Sequence, residues 1–235
     1  LPLTRAAGDT AGERYRIFDL ALLFAARRHA AGLTQYAVEM SAFAARRNDP
    51  VARALAVTIE TLARLANGDW PGAYVTAQSL FDLYRRVQHE NWLPAVGNMA
   101  GLAAIGMRQW DTAISHFRKA FSESMSAHNF QYAARAAFNL AWTHYREGRR
   151  VRFFGLIEEA ATLSGEPSEM AALESLTGAV KCADAMDLAG QARALLACAG
   201  AVRGDVDLWD ASDIARDALS LEQEAGAVDV VADAA

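Results

Sequence analysis

The sequence predicts an all-α protein, built as an α-solenoid of antiparallel helix pairs. Hydrophobic residues make up 53% of the 235 residues, only five residues are proline, and strong helix formers dominate throughout. No stretch alternates apolar and polar residues over the length of a β-strand. Polar and glycine-containing breaks recur at regular intervals, which is typical of a helical-repeat architecture.

Breaks in the apolar periodicity divide the chain into helices, and the residues at each break support its position. Asn48-Asp49-Pro50 and Asn67-Gly68-Asp69 each combine a turn residue with an N-cap residue, and Gly165-Glu166-Pro167 and Gly204-Asp205 are similar breaks further along. The predicted helices are 10–31, 34–47, 50–66, 71–88, 92–107, 110–127, 129–147, 150–164, 167–183, 187–202 and 207–225.

The central helices repeat with a period of about 40 residues, a length typical of helical-repeat proteins. Trp70 aligns with Trp110, and Ala73 aligns with Ala113. Because one helix pair cannot bury its apolar stripe alone, we expect the pairs to stack and share a core. We expect one domain, 1–235, in which the best repeats are 50–88, 92–127 and 129–164 and the irregular flanks are 1–48 and 167–235.

Two segments resemble a known repeat. Residues 139–148, NLAWTHYREG, resemble the first helix and turn of a tetratricopeptide repeat (TPR), and residues 110–121, WDTAISHFRKAF, resemble its second helix. The usual TPR has about 34 residues. The longer period here resembles the helical-repeat regions of large bacterial transcription regulators of the LuxR and SARP types. The resemblance implies a TPR-like right-handed superhelix.

A stripe of aromatic and basic residues on the predicted helix 129–147 is the candidate binding surface. Its members recur every three or four positions, which places them on one helix face. They are Arg135, Phe138, Trp142, Tyr145 and Arg146. The TPR resemblance implies that this face lines the concave groove, together with Asn98 and Leu102 of the preceding repeat. Aromatic residues and arginine are typical of binding hot spots. The alternative is that these aromatic residues fill the core between layers.

The side chains of this stripe indicate which class of ligand it suits. In the chaperone-binding type of TPR, a lysine and an asparagine stand where this chain has Phe138 and Trp142. The stripe therefore suits an apolar peptide or a small molecule better than the acidic tail of a chaperone.

Charge is unevenly distributed along the chain. Residues 1–203 carry 22 basic and 19 acidic groups, whereas residues 204–235 carry one basic and nine acidic groups. The acidic end repels phosphates, so we expect no direct binding of nucleic acid. The basic turn 146–152 is either a solvated turn or the partner of an acidic group, and one candidate is the stretch 205–217 of the same chain.

Catalytic, metal-binding and membrane-spanning signatures are absent from the sequence. The histidines lack ligand spacing, and Cys182 and Cys198 match no zinc or redox motif. Buried reduced thiols in a cytoplasmic protein are the expectation for these cysteines. No stretch reaches the ~20 apolar residues that span a bilayer. We therefore expect no enzyme activity, no cofactor, no metal and no membrane contact.

Together these observations predict a binding module that holds a protein or peptide segment in its concave groove, within bacterial regulation. The alternative is an effector-sensing domain of a transcriptional regulator, with a small molecule as ligand. A sensor needs an enclosed pocket, whereas a peptide needs an open groove. A solenoid enzyme is less expected, and a homodimer through the alanine-rich helix 187–202 is a further possibility.

Overall fold

The computed structural model describes residues 10–146, 167–185, 187–202 and 214–224, and the regular structure within these ranges is helical. The helices are α1 (Thr10–Ala26), α2 (Ala30–Arg47), α3 (Pro50–Ala66), α4 (Trp70–Arg86), α5 (Leu93–Gly106), α6 (Trp110–Ser126), α7 (Phe130–Arg146), α8 (Pro167–Asp184), α9 (Leu188–Val202) and α10 (214–224), with a 3-10 turn at Glu90–Trp92. Successive helices from α1 to α5 pack against each other, as do α8 and α9. The predicted fold class is confirmed. The predicted helix 150–164 lies outside the described residues.

Two compact units make up the chain. The N-terminal unit comprises Leu1–Glu123 and the C-terminal unit comprises Ser124–Ala235, so the division falls within the last turn of α6. The organisation as one domain stays a prediction. None of the described helices is both long enough and apolar enough to cross a membrane.

The turns from α1 to α7 recur at a constant spacing along the chain. One residue in each turn has a positive φ, between 47° and 74°; these residues are Arg28, Asn48, Gly68, Gln88, Arg108 and His128. The N–H of the next residue bonds to a carbonyl five residues back, as in His29 to Phe24 (2.9 Å) and Asp49 to Ala44 (3.0 Å). This hydrogen bond closes the end of a helix in a Schellman motif. The period seen in the sequence therefore contains two helix–turn units of equal length.

The first helix is shorter than the sequence predicted. It ends at Ala26 rather than at residue 31, because Arg28 adopts the left-handed conformation (φ 47°) and turns the chain. The His29 side chain then accepts a hydrogen bond from the Gly32 amide at 2.9 Å and begins α2. The prediction was wrong here because arginine and histidine seldom indicate a turn.

Helix α5 is buried on all its faces. Every residue from Leu93 to Ile105 is buried, as expected of a helix that is apolar all round. Gly101 permits close packing with α6, since a Cβ atom there would lie 2.4 Å from the Phe117 ring. The aligned residues Ala73 and Ala113 are both fully buried, which agrees with the predicted repeat register.

An ion pair connects the start of α3 to α1. Asp49 accepts hydrogen bonds from the amides of Val51 (2.9 Å) and Ala52 (3.0 Å), so it is the N-cap of α3. The same carboxylate pairs with Arg14 at 2.7 Å. Burial raises the pKa of Asp49, but the hydrogen bonds from Ala52 and Arg14 outweigh it, and the net pKa is lowered.

The C-terminal unit contains the α8–α9 pair. Leu173 and Leu176 of α8 and Leu195 of α9 are buried between the helices. Both cysteines are free. Cys198 is fully buried, and this burial raises the pKa of its thiol to about 12, so the thiol is unreactive at neutral pH.

Candidate binding surfaces

An open groove lies between α2 and α3 in the N-terminal unit. Its volume is about 810 Å³, and solvent reaches it from outside. Its walls are small or uncharged side chains of α2 on one side and Ala63, Arg64 and Asn67 of α3 on the other, with Asp69 at one end. We call it the α2–α3 groove.

The α2 wall of this groove is an exposed helix face without charge. The exposed residues between positions 30 and 45 are Ala31, Thr34, Gln35, Val38, Ser41, Ala42 and Ala45, and none of these seven is charged. Val38 at the middle of the face is 65% exposed. Solvent-facing helix surfaces normally carry charged residues, so an uncharged face beside an open groove indicates a contact surface.

One end of the groove carries a cluster of three charges. Arg64 donates to Glu60 from Nη2 (2.8 Å) and Nε (3.1 Å), and to Asp69 from Nη1 (2.8 Å). The hydrogen bond with Glu60 is the main reason that the pKa of Arg64 is raised. The three side chains are 37% to 44% exposed, so the pairs add little to stability. With two carboxylates and one guanidinium, the cluster has a net negative charge that faces solvent.

Sequence analysis missed this groove. No motif marks it, and its members do not belong to the predicted candidate surface of Asn98, Leu102 and the α7 stripe. The available signal was the absence of charge at positions 31, 34, 38, 42 and 45, which recur every three or four residues on one helix face.

The predicted stripe on α7 is largely buried. Phe138 is 2% exposed and Trp142 is fully buried, while Arg135 and Tyr145 are half-buried and Arg146 is exposed. The predicted partners on α5 are also buried, Asn98 at 1% exposure and Leu102 at 4%. A buried side chain reaches a partner only if its surroundings open. The assignment of these residues to a binding groove stays a prediction.

The C-terminal helices of the same unit contact the exposed end of this stripe. Trp142 stacks on Tyr145 with ring centroids 5.3 Å apart. The Tyr145 hydroxyl accepts a hydrogen bond from Gln191 of α9 at 2.5 Å. Arg146 forms an ion pair with Asp217 of α10. Thus the first residue of the basic turn pairs with the acidic stretch of the same chain, one of the alternatives raised by the sequence, while residues 147–152 lie outside the described part.

A second polar cluster lies between α4 and α6. The Tyr74 hydroxyl and His116 Nε2 are 3.1 Å apart, and the His116 ring is stacked near Phe81 with centroids 6.4 Å apart. Burial and the nearby Lys119 lower the pKa of His116, so its imidazole is neutral at pH 7.

Within the described ranges, no three His, Cys, Asp or Glu residues are grouped as metal ligands.

Comparisons with known proteins identify the fold. No family model and no curated protein matches the sequence. Similar solved structures include the following two. Aspartyl phosphate phosphatase F from Bacillus subtilis matches at a TM-score of 0.66 and 12% identity, over 90% of this chain and 60% of that protein. The apo form of RapI matches at a TM-score of 0.62 and 9% identity, over 92% of this chain and 85% of RapI. At these identities the likeness shows the fold alone, which is TPR-like, and the chain spans 60% of the length of the phosphatase.

Proposed function

We propose that the chain is a protein–protein interaction module whose N-terminal unit holds an α-helical segment in the α2–α3 groove. The open form of the groove carries this proposal. A small effector is usually enclosed by its pocket, whereas an amphipathic helix lies in an open groove. At about 810 Å³ and open to solvent, the α2–α3 groove suits a helix better than an effector.

The side chains of the groove define the helix that fits. Ala31, Thr34 and Ala42 are small, so the backbone of a bound helix can approach closely. The uncharged wall requires a contact face that is apolar or small. The net negative charge around Glu60 and Asp69 favours a Lys or Arg at the matching end of the bound helix.

We further propose that this module works without enzymatic activity, in regulation within a bacterial cytoplasm. The support is the resemblance of the long repeat period to the repeat regions of LuxR- and SARP-type regulators. In this proposal the α7 stripe contributes a second surface through Arg135, Tyr145 and Arg146, the members that retain solvent exposure. In this proposal the buried aromatic side chains of Phe138 and Trp142 hold these three residues in position.

Site-specific photo-crosslinking tests the groove. A photoreactive residue replaces Val38 in the groove or, as the control, Val75 on α4, which is equally exposed (67%). We expect Val38, and not Val75, to crosslink to one polypeptide through contacts with helical spacing. A synthetic peptide of the crosslinked segment should bind the purified chain. Val38→Arg should abolish that binding, and Val75→Arg should leave it intact.

Two results would contradict the proposal. One is an identical crosslinking pattern at Val38 and Val75. The other is a small molecule that co-purifies in native mass spectrometry and is lost on Val38→Arg, which would favour the effector-sensing alternative.

A further inference from the structure

We propose that the helix which fills the α2–α3 groove is α2 of a second copy of this chain, giving a two-fold symmetric dimer. This inference rests on the proposed function, because it names the occupant of the same groove. In the dimer, α2 and α3 of each copy form a four-helix bundle, with the two α2 helices antiparallel at its centre.

The exposed face of α2 is self-complementary. Val38 lies at its middle, Thr34 and Ala42 lie four residues to either side, and Ala31 and Ala45 lie seven residues to either side. In an antiparallel pair centred on Val38, each small residue therefore faces another small residue. A two-fold interface requires such a surface, since the same patch serves on both subunits.

Small side chains also explain how two α2 helices approach each other. Helices that meet through alanine and serine pack with their axes about 8 Å apart, at the short end of the usual range. The dimer would bury Val38, which is 65% exposed in the single chain. A face without charged residues is expected at the core of a subunit interface, where charged residues are depleted.

Charge complementarity favours the same register. Arg46 and Arg47 form the exposed C-terminal end of α2. The antiparallel pairing brings them to the start of the other α2, where Asn67 and Asp69 close the groove. Arg46, which lies nearer the Val38 face than Arg47 does, then meets the negatively charged cluster of Asp69, Arg64 and Glu60. Symmetry repeats this contact at the other end, so two charge contacts fix the register.

Disulfide trapping tests the predicted axis. We would introduce Val38→Cys, with Val75→Cys as the control, into the full chain carrying Cys182→Ser; Cys198 is buried and can remain. Residues on a two-fold axis face their own copies, so Val38→Cys should form a covalent dimer under mild oxidation. The equally exposed Val75→Cys should stay monomeric.

Sedimentation velocity at several protein concentrations provides the second measurement. The unmodified chain should be a dimer, and Val38→Glu should raise the dimer dissociation constant by roughly 100-fold or more, because symmetry brings two carboxylates together at the axis. Arg46→Glu should weaken the dimer, and Val75→Glu should not.

Two results would overturn the dimer. A monomer at all concentrations, with no Val38→Cys disulfide, excludes a second copy as the occupant. A dimer that survives Val38→Glu but is lost on Leu196→Glu would place the interface on α9 instead, where Leu196 is 39% exposed. In either case a crosslink from Val38 to a different protein would still support the groove as a binding site, so the two proposals fail separately.

Discussion

Replacement of Asp49 is expected to destabilise the N-terminal unit more than replacement of Asp69, which holds the same position in the next helix–turn unit. Both residues are N-caps and both pair with an arginine. Asp49 accepts two backbone hydrogen bonds and pairs with Arg14 where both side chains are at most 17% exposed. Asp69 accepts one backbone hydrogen bond, from Gly72 at 3.1 Å, and is 43% exposed.

The magnitudes follow from these contacts. Loss of an N-cap costs about 1 kcal/mol. Loss of a half-buried charged hydrogen bond costs about 1–2 kcal/mol more, whereas an exposed ion pair contributes at most about 1 kcal/mol. We therefore expect Asp49→Ala to lower the free energy of unfolding by about 2–3 kcal/mol, and Asp69→Ala to lower it by about 1–2 kcal/mol. Asp49→Asn keeps the cap and should cost about 1–2 kcal/mol.

Urea unfolding followed by circular dichroism at pH 7 measures these differences, and hydrogen exchange of the amides of residues 51–54 reports the α3 cap directly. The pH dependence gives a second readout. Because the pKa of Asp49 is lowered by folding, its contribution is complete above the unfolded pKa of about 3.9 and is lost as the pH falls through the folded pKa. Asp49→Asn should therefore remove part of the stability change below about pH 4.

The opposite ranking would refute the reasoning. If Asp69→Ala were as costly as Asp49→Ala, burial and the second backbone hydrogen bond would not determine the strength of these caps. If Asp49→Asn were as costly as Asp49→Ala, the contact with Arg14 would account for the whole effect and the cap for none.

Four further substitutions test the helix packing and one of the turns. Gly101→Ala should destabilise the protein by about 1–3 kcal/mol, because its Cβ would lie 2.4 Å from the Phe117 ring. Gly200→Ala should stabilise it by about 0.5–1 kcal/mol, because no atom lies within 4 Å of the added Cβ. Equal effects of the two substitutions in urea unfolding would contradict this packing. Arg108→Gly should raise the melting temperature, since glycine adopts φ 59° without strain, and a lower melting temperature would count against a strained turn. Trp142→Ala should lower the free energy of unfolding by about 3–5 kcal/mol because the ring is fully buried; unchanged stability together with weakened partner binding would instead support the predicted groove.

Local chemistry explains which parts of the fold were predictable. The start of α3 is marked by Asp49-Pro50, a cap followed by a proline at the first helical position, and the predicted helix 50–66 agrees with the structure. The end of α1 carries no such mark. A left-handed residue closes each turn, and where that residue is Arg28 or Gln88 rather than Gly68, no sequence rule identifies it. For the same reason the sequence revealed the period of the helix pairs but not the single helix–turn unit within it.

Candidate surfaces were harder to predict, because helical periodicity groups residues on a face without showing what covers that face. The residues that contact the α7 stripe, Gln191 and Asp217, lie 46 and 71 positions away from their partners Tyr145 and Arg146. The sequence signal for the α2–α3 groove is a lack of charged residues around Val38. This pattern resembles any alanine-rich helix unless the solvent exposure of the residues is known.

The regular turns also restrict how a chain of this kind can change in length. Deletion of a single helix–turn unit, from one turn to the next, would make every later helix run in the reverse direction and present its other side to the core. Deletion of a complete helix pair leaves all following faces in phase. Homologues that keep this architecture should therefore differ in length by multiples of about 40 residues. Shorter insertions should be confined to the turns at 28, 48, 68, 88, 108 and 128.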